Sequence, residues 1–337
     1  MAPLLAHVRY VAGALALVLL VALAGPAGAQ QPAAVNPTAS SVKEDQLLRQ
    51  LHRVEGRCTL PDQKACVVEQ PQGRDWRRFH EITLRWIGAI SVLGMIVLLV
   101  AFYLWRGMIR IEGGRSGRTI VRFNAFERFI HWMTATCFII LAITGLNVTF
   151  GKKLLLPLMG PEAFTTWSLW GKYAHNYLSF PFTIGVIVIF LMWIAGNIPN
   201  RVDVEWLKKG GGIVGREHPP AYRFNAGQKA IYWLQMLGGT AMAITGYLLI
   251  FPFYGTDIGA MQTAQVIHGI IAMLYIAIMI AHIYIGTLGM EGAFEAMGTG
   301  EVDLNWAKEH HRFWLEQEMA RTGPNQSQPQ PHATPAE

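Results

Sequence analysis

The chain has 337 residues, of which 52% are hydrophobic and only 15% charged, with a mean hydropathy of +0.28 and a formal net charge of +6. A soluble domain carries about a quarter charged residues, so the composition excludes a water-soluble enzyme and describes helices dissolved in lipid. The positive charge is no nucleic-acid footprint: its Arg and Lys residues sit in loops beside the apolar blocks, where they act as topology signals.

His7 and Arg9 precede an apolar run over residues 11–24, followed by Pro26 and by Ala27-Gly28-Ala29 before Gln30. A weakly basic start, a short apolar stretch and an A-x-A site predict a cleavable signal peptide over 1–29, the alternative being an uncleaved first transmembrane helix. Residues 30–82 form a polar exported, periplasmic segment with Cys58 and Cys66, where a disulfide is chemically permitted. No C-x-x-C-H occurs, so covalent haem attachment has no support, and Cys137 is a packing residue inside an apolar helix.

Five spans follow, near residues 86–105, 129–150, 177–198, 230–251 and 266–290, each long enough to cross about 30 Å of hydrocarbon. Trp86, Trp105, Trp132, Tyr177, Trp233 and Tyr284 stand at their ends as interfacial anchors. Arg106, Arg110, Arg115, Arg118, Arg122 and Arg128 lie between spans one and two, and Arg201, Lys208, Lys209, Arg216, Arg223 and Lys229 between three and four; residues 251–266 carry no basic side chain. The positive-inside rule then puts both Arg-rich loops and the C-terminus in the cytoplasm. The tail over 321–337 is Pro/Gln-rich and expected to be disordered.

An internal repeat runs through the spans. Arg122-Phe123-Asn124-Ala125, His131-Trp132 and Ala142-Ile143-Thr144-Gly145 recur 101 residues later as Arg223-Phe224-Asn225-Ala226, Tyr232-Trp233 and Ala243-Ile244-Thr245-Gly246. Spans two and four therefore enter from the same side, and His175 and His268 open the spans that follow them.

Four histidines fall in or at the ends of these spans: His131, His175, His268 and His282. An ionisable group at membrane depth marks a functional site by default. His131 and His282 lie near the cytoplasmic face, His175 and His268 near the outer one. His268 and His282 are 14 residues apart, so they project to one side of their helix about 21 Å apart along its axis. Paired imidazoles fill both axial positions of a haem iron and suit electron transfer, whereas zinc takes three or four protein donors. Gly145, Gly246, Gly238, Gly239, Gly269 and Gly286 make room for a bulky ring or pack helix on helix. Arg122, Arg128, Arg223 and Lys172 pair with haem propionates or serve only as topology markers.

Several ordered segments carry a family resemblance: Arg122-Phe123 with Glu127-Arg128 and His131-Trp132; Gly171-Lys172-Tyr173-Ala174-His175; Asn197-Ile198-Pro199; Phe224-Asn225-Ala226-Gly227-Gln228-Lys229; Ile267-His268; His282-Ile283-Tyr284; and Trp306-Ala307-Lys308-Glu309-His310-His311. Over residues 118–320 the chain resembles the gamma, or cytochrome b, subunit of membrane-bound formate dehydrogenases. The resemblance implies an all-α membrane protein: a four-helix transmembrane bundle with two b haems, here joined by an extra N-terminal transmembrane helix over 83–105 and the signal peptide. It assigns His175 and His268 to the outer haem and His131 and His282 to the cytoplasmic one. It puts a quinone (menaquinone or ubiquinone) beside the inner haem at Asn225, Gly227, Gln228 and His282. Amide side chains suit a quinone carbonyl and Gly allows backbone approach, while the alternative for this loop is a helix cap. The implied partners are an iron–sulfur beta subunit and a molybdenum- or tungsten-containing alpha subunit in a bacterial inner membrane. The rival readings are the cytochrome b subunit of a nickel–iron hydrogenase and a haem-free scaffold or transporter.

Overall fold

The computed structural model describes residues 71–212 and 218–322. The expected signal peptide, residues 30–70 of the expected exported segment with Cys58 and Cys66, and the tail from Gly323 onward lie outside the described residues; residues 71–82 of that segment are helical. Among the described residues, five helices are long and apolar enough to cross a membrane. Helix α1 (Pro71–Arg78) runs through a wider π turn into α2 (Leu84–Arg106), so helix begins before the span expected from hydropathy alone. Then come α3 (Ala125–Leu146), α4 (Leu156–Trp193), the short α5 (Arg201–Lys208), α6 (Ala226–Ile250) and α7 (Ile258–Tyr284). The described residues end with α8 (Leu304–His310) and α9 (Arg312–Thr322), so Arg321, expected in the disordered tail, is helical.

The polar residues just ahead of each apolar block start these helices. Asn124 accepts from the Glu127 amide at 2.9 Å and the Glu127 carboxylate accepts from the Asn124 amide at 3.0 Å, a reciprocal cap that opens α3. The repeat reproduces it at α6, where Asn225 and Gln228 exchange the same two bonds at 2.9 and 3.1 Å. Asp257 caps α7 through the Ala260 amide at 2.7 Å. Each cap contributes about 1 kcal/mol, and each moves the helix start upstream of the hydropathy edge. In α4, Gly160 takes φ +77° and separates a first turn from the continuous helix that follows.

Helix α3 packs along α4, α6 along α7, and α4 contacts α6, making a four-helix bundle. Its core holds Ile130, Cys137, Phe182, Val186, Tyr232, Met236, Tyr275 and Met279, and Cys137 is buried there as expected. Helix α2 lies along α7 as an addition to the bundle. Gly88 of α2 faces Met273, Gly269 of α7 faces Leu84, and a Cβ at either position would fall under 3 Å from its neighbour. The remaining faces of α2, with Trp86, Ile90, Leu98 and Leu104, stay exposed as lipid-facing surfaces do.

The two Arg-rich loops and the segment after α7 meet at one end of the bundle. Strand β1 (Thr119–Val121) pairs antiparallel with β2 (Glu301–Asp303). Ile109 bridges to Met290, and the Arg122 and Phe123 amides both donate to the Gly300 carbonyl. Gly300 has φ +91°, and a Cβ there would lie 2.5 Å from the Phe123 carbonyl, so this crossing requires glycine.

Candidate functional site

The four intramembrane histidines form two pairs. The rings of His131 on α3 and His282 on α7 have centroids 6.3 Å apart, and so do those of His175 on α4 and His268 on α7. The ring planes cross at 60° and 64°. Metal–imidazole bonds of about 2 Å, added to the ring radius set by bonds of about 1.35 Å, put two imidazoles on opposite sides of one metal at about 6.3 Å between centres. A direct hydrogen bond between the rings would draw them closer than this. One helix, α7, supplies a ring to each pair.

His268 lies ten residues into α7 (Ile258–Tyr284) and does not open its span, contrary to expectation, and neither does His175. Helix α4 begins well ahead of it, because the polar and aromatic stretch with Trp167, Trp170 and Tyr173 is helical too. All four rings therefore sit on continuous helix, which fixes their direction.

The repeated Ile-Thr-Gly decides the chemistry of one pair. Thr144 Oγ1 lies 2.8 Å from His175 Nδ1, and Thr245 Oγ1 lies 2.8 Å from His268 Nδ1. Each hydroxyl spends its single proton on a carbonyl of its own helix, Ile140 or Ala241, at 2.7 Å. The threonines are therefore acceptors, and the network assigns the proton of both imidazoles to Nδ1. Nε2 of each ring keeps its lone pair, as metal ligation requires. Sequence reasoning found this repeat but not the threonines' role. In the other pair His131 Nδ1 is buried and makes no protein hydrogen bond.

The six small residues separate into two groups. Cβ atoms built on Gly145 and Gly246 would point only at the rings of His175 and His268, at 3.5 and 3.4 Å, and Gly286 has no neighbour within 4 Å. By contrast, Gly238 faces Tyr275, Gly239 faces Val186, and Gly269 faces Leu84. The last three are helix-packing glycines.

Residues 122–300, more than half of the chain, match the description prokaryotic cytochrome b561. The chain belongs to this cytochrome b family. It is 30% identical over 200 residues to the formate dehydrogenase cytochrome b556(fdo) subunit of Escherichia coli K12, covering 58% of this chain and 92% of the relative. It is 26% identical over 204 residues to the nitrate-inducible formate dehydrogenase cytochrome b556(Fdn) subunit of the same strain, covering 59% and 91%. Similarity extends to the formate dehydrogenase cytochrome b556 subunit of Haemophilus influenzae, 25% identical over 221 residues and covering 63% and 88%.

The family makes this chain a membrane cytochrome carrying haem b, and both histidine pairs fit the group. Their spacing matches a metal between two imidazoles, and open glycines stand beside the rings. The repeat equivalent of His131 is Tyr232, buried and donating to the Phe190 carbonyl at 3.1 Å.

The basic residues proposed for propionates are mostly engaged elsewhere. Arg122 and Arg223, repeat equivalents, each donate to the other's backbone carbonyl, at 2.6 and 3.2 Å. Arg223 also pairs with Glu127 at 2.7 Å, and Arg128 donates to the Gly298 carbonyl at 2.8 Å. Arg122 is wholly buried between the rings of Phe123, Trp306 and Trp314. Burial, helped by Arg223, pulls its pKa down to about 9, so it stays charged at neutral pH. These arginines clamp the end of the bundle, while Lys172 remains exposed at the other end.

At the loop expected to take a quinone, the reciprocal cap uses the amide oxygens of Asn225 and Gln228. Their NH2 groups are the donors a carbonyl ligand would take. Close approach at Gly227 is used by the Trp206 indole, 3.1 Å from where a Cβ would lie. His282 lies on α7 at the Arg-rich end, where the next turn leads into Met290 and its bridge to Ile109.

Proposed function

We propose that this chain is the dihaem cytochrome b subunit of a formate dehydrogenase complex, anchoring it in the bacterial inner membrane. His175 and His268 hold one b haem near the periplasmic face, and His131 and His282 hold a second near the cytoplasm. The carrying observation is the pair of equal 6.3 Å histidine couples strung on α7, supported by relatives whose names are those of formate dehydrogenase cytochrome b subunits. When bound, the haems take and give single electrons, so the chain passes electrons from a periplasmic iron–sulfur partner, itself fed by the catalytic subunit, to a quinone at the cytoplasmic side. Against a membrane potential this inward transfer stores about 2.3 kcal/mol per charge per 100 mV. The orientation follows from the positive-inside rule, since both Arg-rich loops share an end with the C-terminal helices.

The chain's own residues orient and insulate. Thr144 and Thr245 hold two imidazoles in the Nδ1–H form. Tyr275 stands two turns from each α7 histidine, donates to Gln235 and meets the Phe138 ring at 4.9 Å, filling the space between the two sites. Asn225 and Gln228 offer amide donors to a quinone carbonyl beside His282.

Purification of the chain by a tag, with its partners attached, tests this reading. Formate should reduce its b haem, and iron–sulfur and catalytic subunits should co-purify. Haem that stays oxidised with formate but is reduced by hydrogen would point to a hydrogenase and end the proposal.

Two substitutions bear on finer roles. Thr144→Val and Thr245→Val keep shape but remove the acceptor for Nδ1–H. Loss of such a partner costs metal sites about 10–100-fold in affinity or activity, so each variant should lose the outer haem preferentially during detergent washing, with the inner haem retained. Gln228→Glu keeps the cap, as Glu127 does in the equivalent place, but deletes an NH2 donor. It should raise the quinone KM several-fold with thermal stability unchanged; an unchanged KM would leave Gln228 with capping alone.

A further inference from the structure

Besides the histidines proposed to hold haem, the Arg-rich end brings His218 and His310 together with Glu309. Potential ligand atoms of the three lie within 4.8 Å of one another. They come from different segments: His218 from the loop ahead of α6, and Glu309 and His310 from α8. A fourth group, Glu112 from the loop after α2, brings Oε1 to 3.3 Å from His218 Nε2.

The local bonding is incomplete without a ligand. His310 is 7% exposed, and its Nε2 is buried with no hydrogen-bond partner. Both ring nitrogens of His218 are likewise buried and make no hydrogen bond. An unpaired buried polar group costs about 1–3 kcal/mol, and here His310 Nε2 and His218 Nδ1 stand unpaired, while His218 Nε2 has only the Glu112 carboxylate at 3.3 Å. The rings lie 5.3 Å apart and nearly perpendicular, at 79°. Burial, then His218 and Arg122, push the pKa of His310 down to about 4, so this ring is neutral, the ligating form.

The neighbours hold these groups in place. The Glu309 carboxylate accepts from the amides of Glu112 and Gly113, at 3.2 and 3.1 Å, the kind of outer support that metal-binding carboxylates have. The Trp306 ring lies 5.3 Å from His310. The adjacent His311 is committed elsewhere: Nδ1 bonds the Tyr222 carbonyl at 2.8 Å and Nε2 meets Arg122 at 3.1 Å. Of the two neighbouring histidines, only His310 turns toward the cluster.

We propose that His218, Glu309 and His310, completed by Glu112, bind one zinc ion that staples the cytoplasmic loops to the C-terminal helices. Two neutral imidazoles and one or two carboxylates form a donor set that zinc takes in tetrahedral geometry at about 2.0–2.2 Å, and the two carboxylates balance its charge. The loop stapled this way continues from His218 to Asn225, the residue that starts α6. The ion is structural and changes no oxidation state.

The test uses the full chain in its complex, purified through a tag without histidines, loaded with equimolar zinc and dialysed against metal-free buffer. Elemental analysis should find about one zinc per chain beyond the haem iron. His218→Ala with His310→Ala, and separately Glu309→Gln, should lose that zinc, while an unchanged haem-to-protein ratio reports that the bundle is intact. Cobalt in place of zinc should give visible ligand-field bands of tetrahedral type in the wild type and none in the variants. Well under one zinc per chain in the wild type, equal zinc in wild type and haem-replete variants, or another metal in its place would overturn the proposal.

Discussion

His268→Ala should cut the b haem content from about two per chain to about one and leave the cytoplasmic haem in place, because α7 serves each site with a separate ring. The reciprocal variant, His282→Ala, should remove the other haem and stop quinone reduction, while formate still reduces the haem that remains. The asymmetry comes from the order of the sites: His268 shares its site with His175 and His282 shares its site with His131. Redox titration resolves the two outcomes, since each variant should retain one of the two wild-type transitions. Retention of both haems in both variants would refute the ligand assignments. Loss of both haems in each, with the protein still folded, would mean that the sites are not independent.

Lys229→Met should be the most destabilising of the single changes outside the haem ligands. Lys229 is 4% exposed and its Nζ lies 2.8 Å from Asp203 and 3.1 Å from the Ile198 carbonyl. Asp203 is itself buried and also accepts from the Asn200 amide at 2.7 Å. Removing the cation strands a buried carboxylate, which costs about 3–5 kcal/mol, whereas replacing both charges is close to neutral. Thermal unfolding in detergent should therefore show a large drop for Lys229→Met, with part of it recovered when Asp203→Asn is added. A drop in the double variant equal to the sum of the drops of Lys229→Met and Asp203→Asn taken singly would show that the pair is not coupled.

Much of this molecule is legible in its sequence, for identifiable reasons. Lipid requires long apolar blocks, and those blocks locate the five spans, although α4 begins far ahead of the expected start at 177. Helix starts are less visible, since Asn124, Asn225 and Asp257 cap the helices from polar sequence ahead of the apolar edge. The stretch before His175 is helical despite its polar and aromatic composition. The histidine couples follow from the 14-residue spacing on α7 and the topology of its neighbours. Spacing along a helix is local information, so it survives in one dimension.

The contributions of distant residues do not. Nothing in Arg122 announces that Trp306 and Trp314 close over it, so it reads as a topology marker until the C-terminal helices fold back. Thr144 and Thr245 appear as a repeated Ile-Thr-Gly, but their use depends on which neighbouring helix presents an imidazole. The division of the glycines is similar: Gly145 and Gly246 face rings, while Gly269 faces α2, an element added to the four-helix bundle. His218 and His310 are over 90 residues apart, and neither stands in an apolar block that would draw attention to it.

The most direct test of the paired-imidazole account is a pyridine haemochrome count on the purified chain, joined to near-infrared magnetic circular dichroism of the oxidised protein. Two b haems per chain, both low-spin with the charge-transfer band of two nitrogen ligands, are expected. One haem or none, or a haem whose spectrum reports a single histidine, would contradict it.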